Sequence, residues 1–99
     1  MGEKIIIRVK PEIFDLVPGY ITHRKKDLAD IKVFISQDRF DEIRAIGHKM
    51  KGVGKLYNMD QVTDMGDKLE RAAVEKDKKS ITEALAVLED YFERVEVVV

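Results

Sequence analysis

Apolar positions recur every third or fourth residue over most of this chain, and that spacing predicts four amphipathic helices. In the first, Val17, Ile21, Leu28, Ile31 and Ile35 share a face, with Tyr20 and Phe34 at its edge and Pro18 suited to the opening turn. The second runs from Ile43 to Met59. At about 100° per residue, Ile43, Ile46, Gly47, Met50, Val53, Gly54 and Tyr57 gather on one side of it. The third presents Val62, Met65, Gly66, Leu69, Ala72 and Ala73, and the fourth Ile81, Ala84, Leu85, Leu88, Tyr91, Phe92 and Val95. Each helix is polar behind one apolar stripe, and the links between them are short. Short links favour antiparallel neighbours, so the expected architecture is all-α, an up-down four-helix bundle.

The boundaries can be read as well. Asp38 is expected as N-cap of the second helix, with Asp41 and Glu42 in its first turn, and Asp60 as N-cap of the third. Asn58 lies where the second helix should end, a place for left-handed backbone. Lys76-Asp77-Lys78-Lys79 reads as a polar turn. Lys4 to Lys10 is β-branched and precedes Pro11, and Arg94 to Val99 has the same character. These ends either pair as short extended segments, clasping the domain, or the last helix simply runs on and frays.

Composition narrows the function. With 99 residues, the chain suits one domain spanning 1–99. The net charge of −1 argues against a broad nucleic-acid surface, so any basic patch must be local. There is no cysteine, which removes disulfides and thiolate metal sites. The apolar runs Ile5-Ile6-Ile7 and Val97-Val98-Val99 are too short to span a bilayer, and no secretory signal is evident. A cytoplasmic monomer with no membrane contact is expected.

The candidate chemistry lies on the second helix. His48 falls roughly 140° from the centre of the apolar side, with Arg44, Lys51 and Lys55 beside it. Lys51 stands three residues on and Arg44 four before, so both can meet negative charge around the ring. Gly47 and Gly54 face the core, where close packing explains them. Gly52 faces outward, where a glycine costs roughly 1 kcal/mol against alanine and packing gives no return. Access to His48 accounts for it. Neutral imidazole is a competent nucleophile, and phosphoryl transfer asks mainly for positioning and charge neutralisation.

Other sites fare worse. His23 lies in a charge run, His23-Arg24-Lys25-Lys26, and reads as a surface residue. Arg24 and Asp27 point toward the apolar side and read as a paired, partly buried couple. Gly52-Val53-Gly54-Lys55 lacks the spacing and the hydroxyl of a P-loop. No metal-ligand spacing surrounds either histidine, and Met50, Met59 and Met65 read as core. No candidate base, orienting carboxylate or oxyanion donor converges on His48, so an independently catalytic enzyme is not expected.

Gly47-His48-Lys49-Met50-Lys51-Gly52-Val53-Gly54 resembles the signature of histidine-containing phosphotransfer (HPt) domains: His, an apolar residue two on, then Lys-Gly. Pro18-Gly19-Tyr20 through Arg24-Lys25-Lys26-Asp27, and Leu69-Glu70-Arg71-Ala72-Ala73, resemble a bacterial subgroup of that family. The resemblance implies a four-helix bundle whose His48 exchanges a phosphoryl group with the aspartate of a response-regulator receiver, free or within a hybrid histidine kinase. It implies a phosphorelay intermediate in two-component signalling rather than an autonomous catalyst. Lys51 then assists the phosphoryl group and Gly52 clears space at the histidine. Arg44 and Lys55 are assigned to steering an acidic receiver. No cofactor is expected on this chain, the Mg²⁺ belonging to the receiver. Met50 replaces the usual leucine, Asn58 a common glycine, and Val53 and Lys55 smaller residues. The alternative is a helical interaction module that docks a receiver or kinase without phosphotransfer.

Overall fold

In the computed structural model, which describes residues 2–99, the apolar stripes become buried faces. The chain is mostly helical: α1 spans Pro11–Phe14, α2 Val17–Ser36, α3 Phe40–Val53, α4 Asp60–Val74 and α5 Lys78–Arg94. Two short strands, β1 (Ile5–Arg8) and β2 (Val95–Val98), flank them. Ile31, Ile43, Met50, Met59, Val62, Leu69, Ile81 and Leu88 are fully buried in one contiguous core.

Contacts along the helices fix their relative directions. Between α2 and α3, Tyr20 stacks on Tyr57 at 4.0 Å and Lys49 reaches Asp27 at 3.3 Å. Later residues of α2 thus meet earlier residues of the α3 segment, an antiparallel pair. Lys32 meets Glu89 at 2.6 Å, joining α2 to α5. The closest approach is between α3 and α4, where glycines stand on both sides. A Cβ on Gly66 would lie 2.6 Å from the Lys51 nitrogen, and one on Gly47 would lie 2.7 Å from the Glu70 nitrogen. A Cβ on Gly54 would lie 2.8 Å from the Thr63 backbone nitrogen, so core-facing Gly47 and Gly54 both serve close packing.

The terminal segments pair. β1 and β2 form a parallel ribbon in the register Ile5↔Val95, Ile6↔Glu96, Ile7↔Val97 and Arg8↔Val98. Ile5, Ile7, Val95 and Val97 pack on the core, while Ile6 and Glu96 face outward. The parallel direction follows from the helices. β2 continues out of α5, and the chain must reverse between β1 and α2, which runs against α5. That reversal is made around α1, a short turn absent from the four-helix expectation.

Three boundaries differ from the sequence reading. Asp38 is not the cap of α3. It adopts φ 56° and terminates α2, where the Arg39 N–H donates to the Phe34 carbonyl at 2.9 Å. Left-handed backbone is incompatible with the extended geometry of an N-cap. Arg39 takes the cap position without a side-chain cap, and its guanidinium bonds Glu42 instead. Asp60 is likewise one residue inside α4, with Met59 at the cap position. The second helix also does not run unbroken to Met59. It is α-helical to Val53 and tightens to a 3₁₀ turn over Gly54–Tyr57. Asn58 closes it at φ 57°, the left-handed residue expected there, and its side-chain amide donates to the Arg8 carbonyl at 3.1 Å. Asp77 is a true N-cap for α5, accepting from the Ser80 N–H at 3.1 Å and the Ser80 hydroxyl at 2.8 Å.

Arg24 and Asp27 are each only 7% exposed, as their inward direction requires. Their charges lie 2.9 Å apart, but the Arg24 Nε–H does not aim at the carboxylate oxygen. The contact is an ion pair rather than an aligned hydrogen bond. Lys49 approaches the other Asp27 oxygen, and the Arg24 guanidinium lies over the Tyr20 ring at 5.3 Å from its centre. Burial with these partners is how two charges are held beneath the surface of α2.

Candidate functional site

Ile43, Gly47 and Met50 turn one side of α3 into the core, and that geometry leaves His48 on the other. Its side chain is 72% exposed. Gly66 lets α4 come close enough to bring Glu70 across the helix interface. The His48 Nδ1 lies 2.9 Å from Glu70 Oε2. A carboxylate only accepts, so this contact selects the tautomer with hydrogen on Nδ1. Nε2 then keeps its lone pair and faces solvent.

The other oxygen of the same carboxylate, Glu70 Oε1, meets Lys51 Nζ at 3.1 Å. Lys51 also contacts Asp67 Oδ1 at 3.3 Å, and Arg71 holds Asp67 Oδ2 at 3.0 Å. Behind His48 runs a chain of alternating charge: Glu70, Lys51, Asp67, Arg71. The Lys51 ammonium, hydrogen-bonded first by Glu70 and then by Asp67, holds its proton more tightly than a free lysine. The same Lys51 contact is the main reason that the Glu70 carboxyl is held below the usual carboxylate range, with His48 a smaller contribution and desolvation opposing both.

The absence of an orienting carboxylate at His48 is therefore corrected: Glu70 is one. The three basic neighbours of His48, Arg44, Lys51 and Lys55, are not alike in the structure. Lys51 is bound into the contact with α4, and its charge is shared with two carboxylates. Arg44, on α3, and Lys55, in the 3₁₀ turn, are exposed and make no ion pair among the described residues. Gly52 is exposed, and a Cβ there would meet nothing within 4 Å. It would not touch the imidazole ring itself, so relief of a clash with the ring does not explain this glycine. His23 is exposed on α2, as a surface residue should be.

Glu70 and Asp67 were invisible to spacing along a single helix because they come from the neighbouring one. Only a partial signal was present: Gly47 and Gly66 both lie on inward faces, but the register that sets Gly47 opposite Glu70 and Gly66 opposite Lys51 is fixed by the packing of the two helices.

Between the start of α2 and the 3₁₀ turn lies a shallow groove lined by Leu16, Gly19, His23, Val53 and Leu56. Leu56 is 61% exposed and Leu16 56%.

The pairing carries a pH dependence. Glu42, Glu70 and Asp77 are all held below their ordinary values of 4.5, 4.5 and 3.8, by Arg39, Lys51 and Ser80 respectively. A depressed carboxyl contributes stability that is complete above its unfolded value and disappears as pH falls through the folded one. Thermal melts should thus show the melting temperature level from pH 7 to about 5 and falling below that. A flat profile to pH 3 would remove these contacts from the stability of the fold.

Among the described residues no helix is long and apolar enough to cross a membrane, and no group of three or more His, Cys, Asp or Glu side chains is placed to hold a metal ion. No protein-family model, no curated protein and no solved structure matches the chain.

Proposed function

We propose that this chain is a histidine phosphotransfer domain, a cytoplasmic up-down four-helix bundle that relays phosphoryl groups to and from receiver aspartates in two-component signalling. The observation that carries the reading is the exposed His48 whose Nδ1 is held by Glu70 at 2.9 Å, leaving Nε2 as a solvent-facing nucleophile.

The step follows from that geometry. The Nε2 lone pair attacks the phosphorus of the receiver's aspartyl phosphate, and an N–P bond forms as the P–O bond to the aspartate breaks. The electron pair of that bond leaves with the receiver carboxylate. Nδ1 keeps its proton, and the ring becomes cationic beside the Glu70 carboxylate, which stabilises it. The reverse step needs no other group, so direction is set by the relative stability of the two phosphorylated forms. Mg²⁺, as the resemblance implies, comes with the receiver.

Docking is supported by two surface features. Arg44 and Lys55 offer unpaired positive charge to a partner whose active site is a cluster of carboxylates, which favours rapid encounter. The groove at Leu16 and Leu56, in the same turn as Lys55, offers apolar contact. In this reading Gly52 admits the receiver to Nε2.

The test is transfer itself. Receiver domains carrying labelled phosphate on their aspartate are mixed with this chain, and label should move to it in a form labile to acid and stable to base. Peptide mapping at neutral pH should place the label on His48. Label on any other residue, or none from a broad panel of receivers, overturns the proposal and favours a docking module without phosphotransfer.

A further inference from the structure

Lys51 lies one turn from His48, yet its ammonium is not directed to the free Nε2. It lies 3.1 Å from the Glu70 carboxylate, which holds Nδ1, and 3.3 Å from Asp67. Glu70 has a place in the proposed step, whereas Asp67 has none. Asp67 touches neither the ring nor the position of a phosphoryl group on Nε2; its contacts are Lys51 and Arg71. We propose that Asp67 is a positioning residue that restrains Lys51, and so sets how much of the lysine's charge reaches a phosphoryl group arriving at His48.

The inference rests on the phosphotransfer reading and adds a regulating residue to that site. A phosphoryl group on Nε2 is a doubly charged acceptor within reach of a flexible four-carbon stem. To meet it, the ammonium must leave carboxylate partners. Both carboxylates compete with the phosphoryl group for the ammonium, but Glu70 also holds the ring, so the contact whose effect on transfer runs through Lys51 alone is the one to Asp67. Arg71, from one turn further along α4, holds the other Asp67 oxygen at 3.0 Å and keeps the carboxylate in place. Lys51 is half-exposed, with no apolar lid to hold it, so this restraint is electrostatic and adjustable by a single charge.

The experiment uses potassium phosphoramidate, a small donor that needs no partner protein. Nε2 attacks its phosphorus, the P–N bond breaks, and ammonia leaves with the bonding pair while Nδ1 keeps its proton. Initial rates of His48 phosphorylation are compared for the wild type, Asp67→Asn, Lys51→Met and the double variant, each checked for an unchanged melting curve. Asp67→Asn should be faster by about two- to fivefold, the range of an exposed ion pair. Lys51→Met should be slower, and the double variant should match Lys51→Met. The double variant is decisive because a general structural effect, or direct repulsion of the donor by Asp67, would persist without the lysine. An unchanged rate in Asp67→Asn, or a gain of equal size in the Lys51→Met background, overturns the proposal. Labelling of the wild type by phosphoramidate but by no receiver would instead overturn the relay reading, while leaving this comparison valid.

Discussion

Replacing His48 by glutamine is expected to abolish phosphoryl transfer, by well over about 10³-fold, with the fold intact. Glutamine is close to histidine in reach and can still donate to Glu70 from its amide. It cannot attack phosphorus, because its nitrogen lone pair is delocalised into the carbonyl. The substitution thus removes the nucleophile and keeps the hydrogen-bonded surroundings. His48 contributes little to packing, being mostly exposed, so the melting temperature should stay within about 4 °C of the wild type. Labelling from a phosphorylated receiver checks the first outcome, and a thermal melt the second. Equal labelling of variant and wild type would remove His48 from the site.

Replacing Gly66 by alanine is expected to act through the fold. The added Cβ would lie 2.6 Å from the Lys51 nitrogen, 2.8 Å from the Gly47 carbonyl oxygen and 2.9 Å from the Met50 Cβ. Two of these atoms belong to the α3 backbone and cannot rotate away, so the two helices must separate. Alanine favours the helix by about 1 kcal/mol over glycine, but overpacking of a tight interface costs about 1–3 kcal/mol. Two backbone contacts below 3 Å place this case at or above the upper end. A net loss of about 2 kcal/mol is expected, a fall in melting temperature of about 10 °C. Because α4 carries Glu70, the same separation should lengthen the contact to His48 and slow transfer in the molecules that remain folded. Gly52→Ala supplies the contrast. Its Cβ meets open space, so the variant should be as stable as the wild type or more so by up to about 1 kcal/mol, and any loss of transfer would come from the approach to Nε2. If Gly66→Ala and Gly52→Ala melted alike, the α3–α4 contact would be looser than the distances state.

The comparison of these glycines shows how sequence and structure divide the information. Both sit in helices, and their directions about the helix axis were readable from the apolar period. What each one would touch was not, because that depends on the helix across from it. The same holds for the caps. Asp38 and Asp60 are good capping residues by type, but aspartate also tolerates left-handed backbone, and at position 38 the closing of α2 takes precedence over the opening of α3. Asn58 occupies the same place before α4, one residue ahead of the cap position at Met59, and reading it as the close of the preceding segment agrees with the structure.

The sequence by itself determined the inward and outward face of every long helix, the burial of Arg24 with Asp27, and the exposure of His48 with Gly52 nearby. These are properties of a single helix, fixed by its angular period and by the free energy of burying apolar surface. Only the tertiary structure decided the parallel ribbon of the two ends, the 3₁₀ closure before Asn58, and above all the partners of His48. Those depend on which helices meet and at what distance. Glu70 and Asp67 lie more than a dozen residues from the lysine and histidine they engage, and no local spacing carries that information. It is the Gly47–Gly66 crossing that brings α4 close enough for its carboxylates to choose a ring tautomer and to hold a lysine.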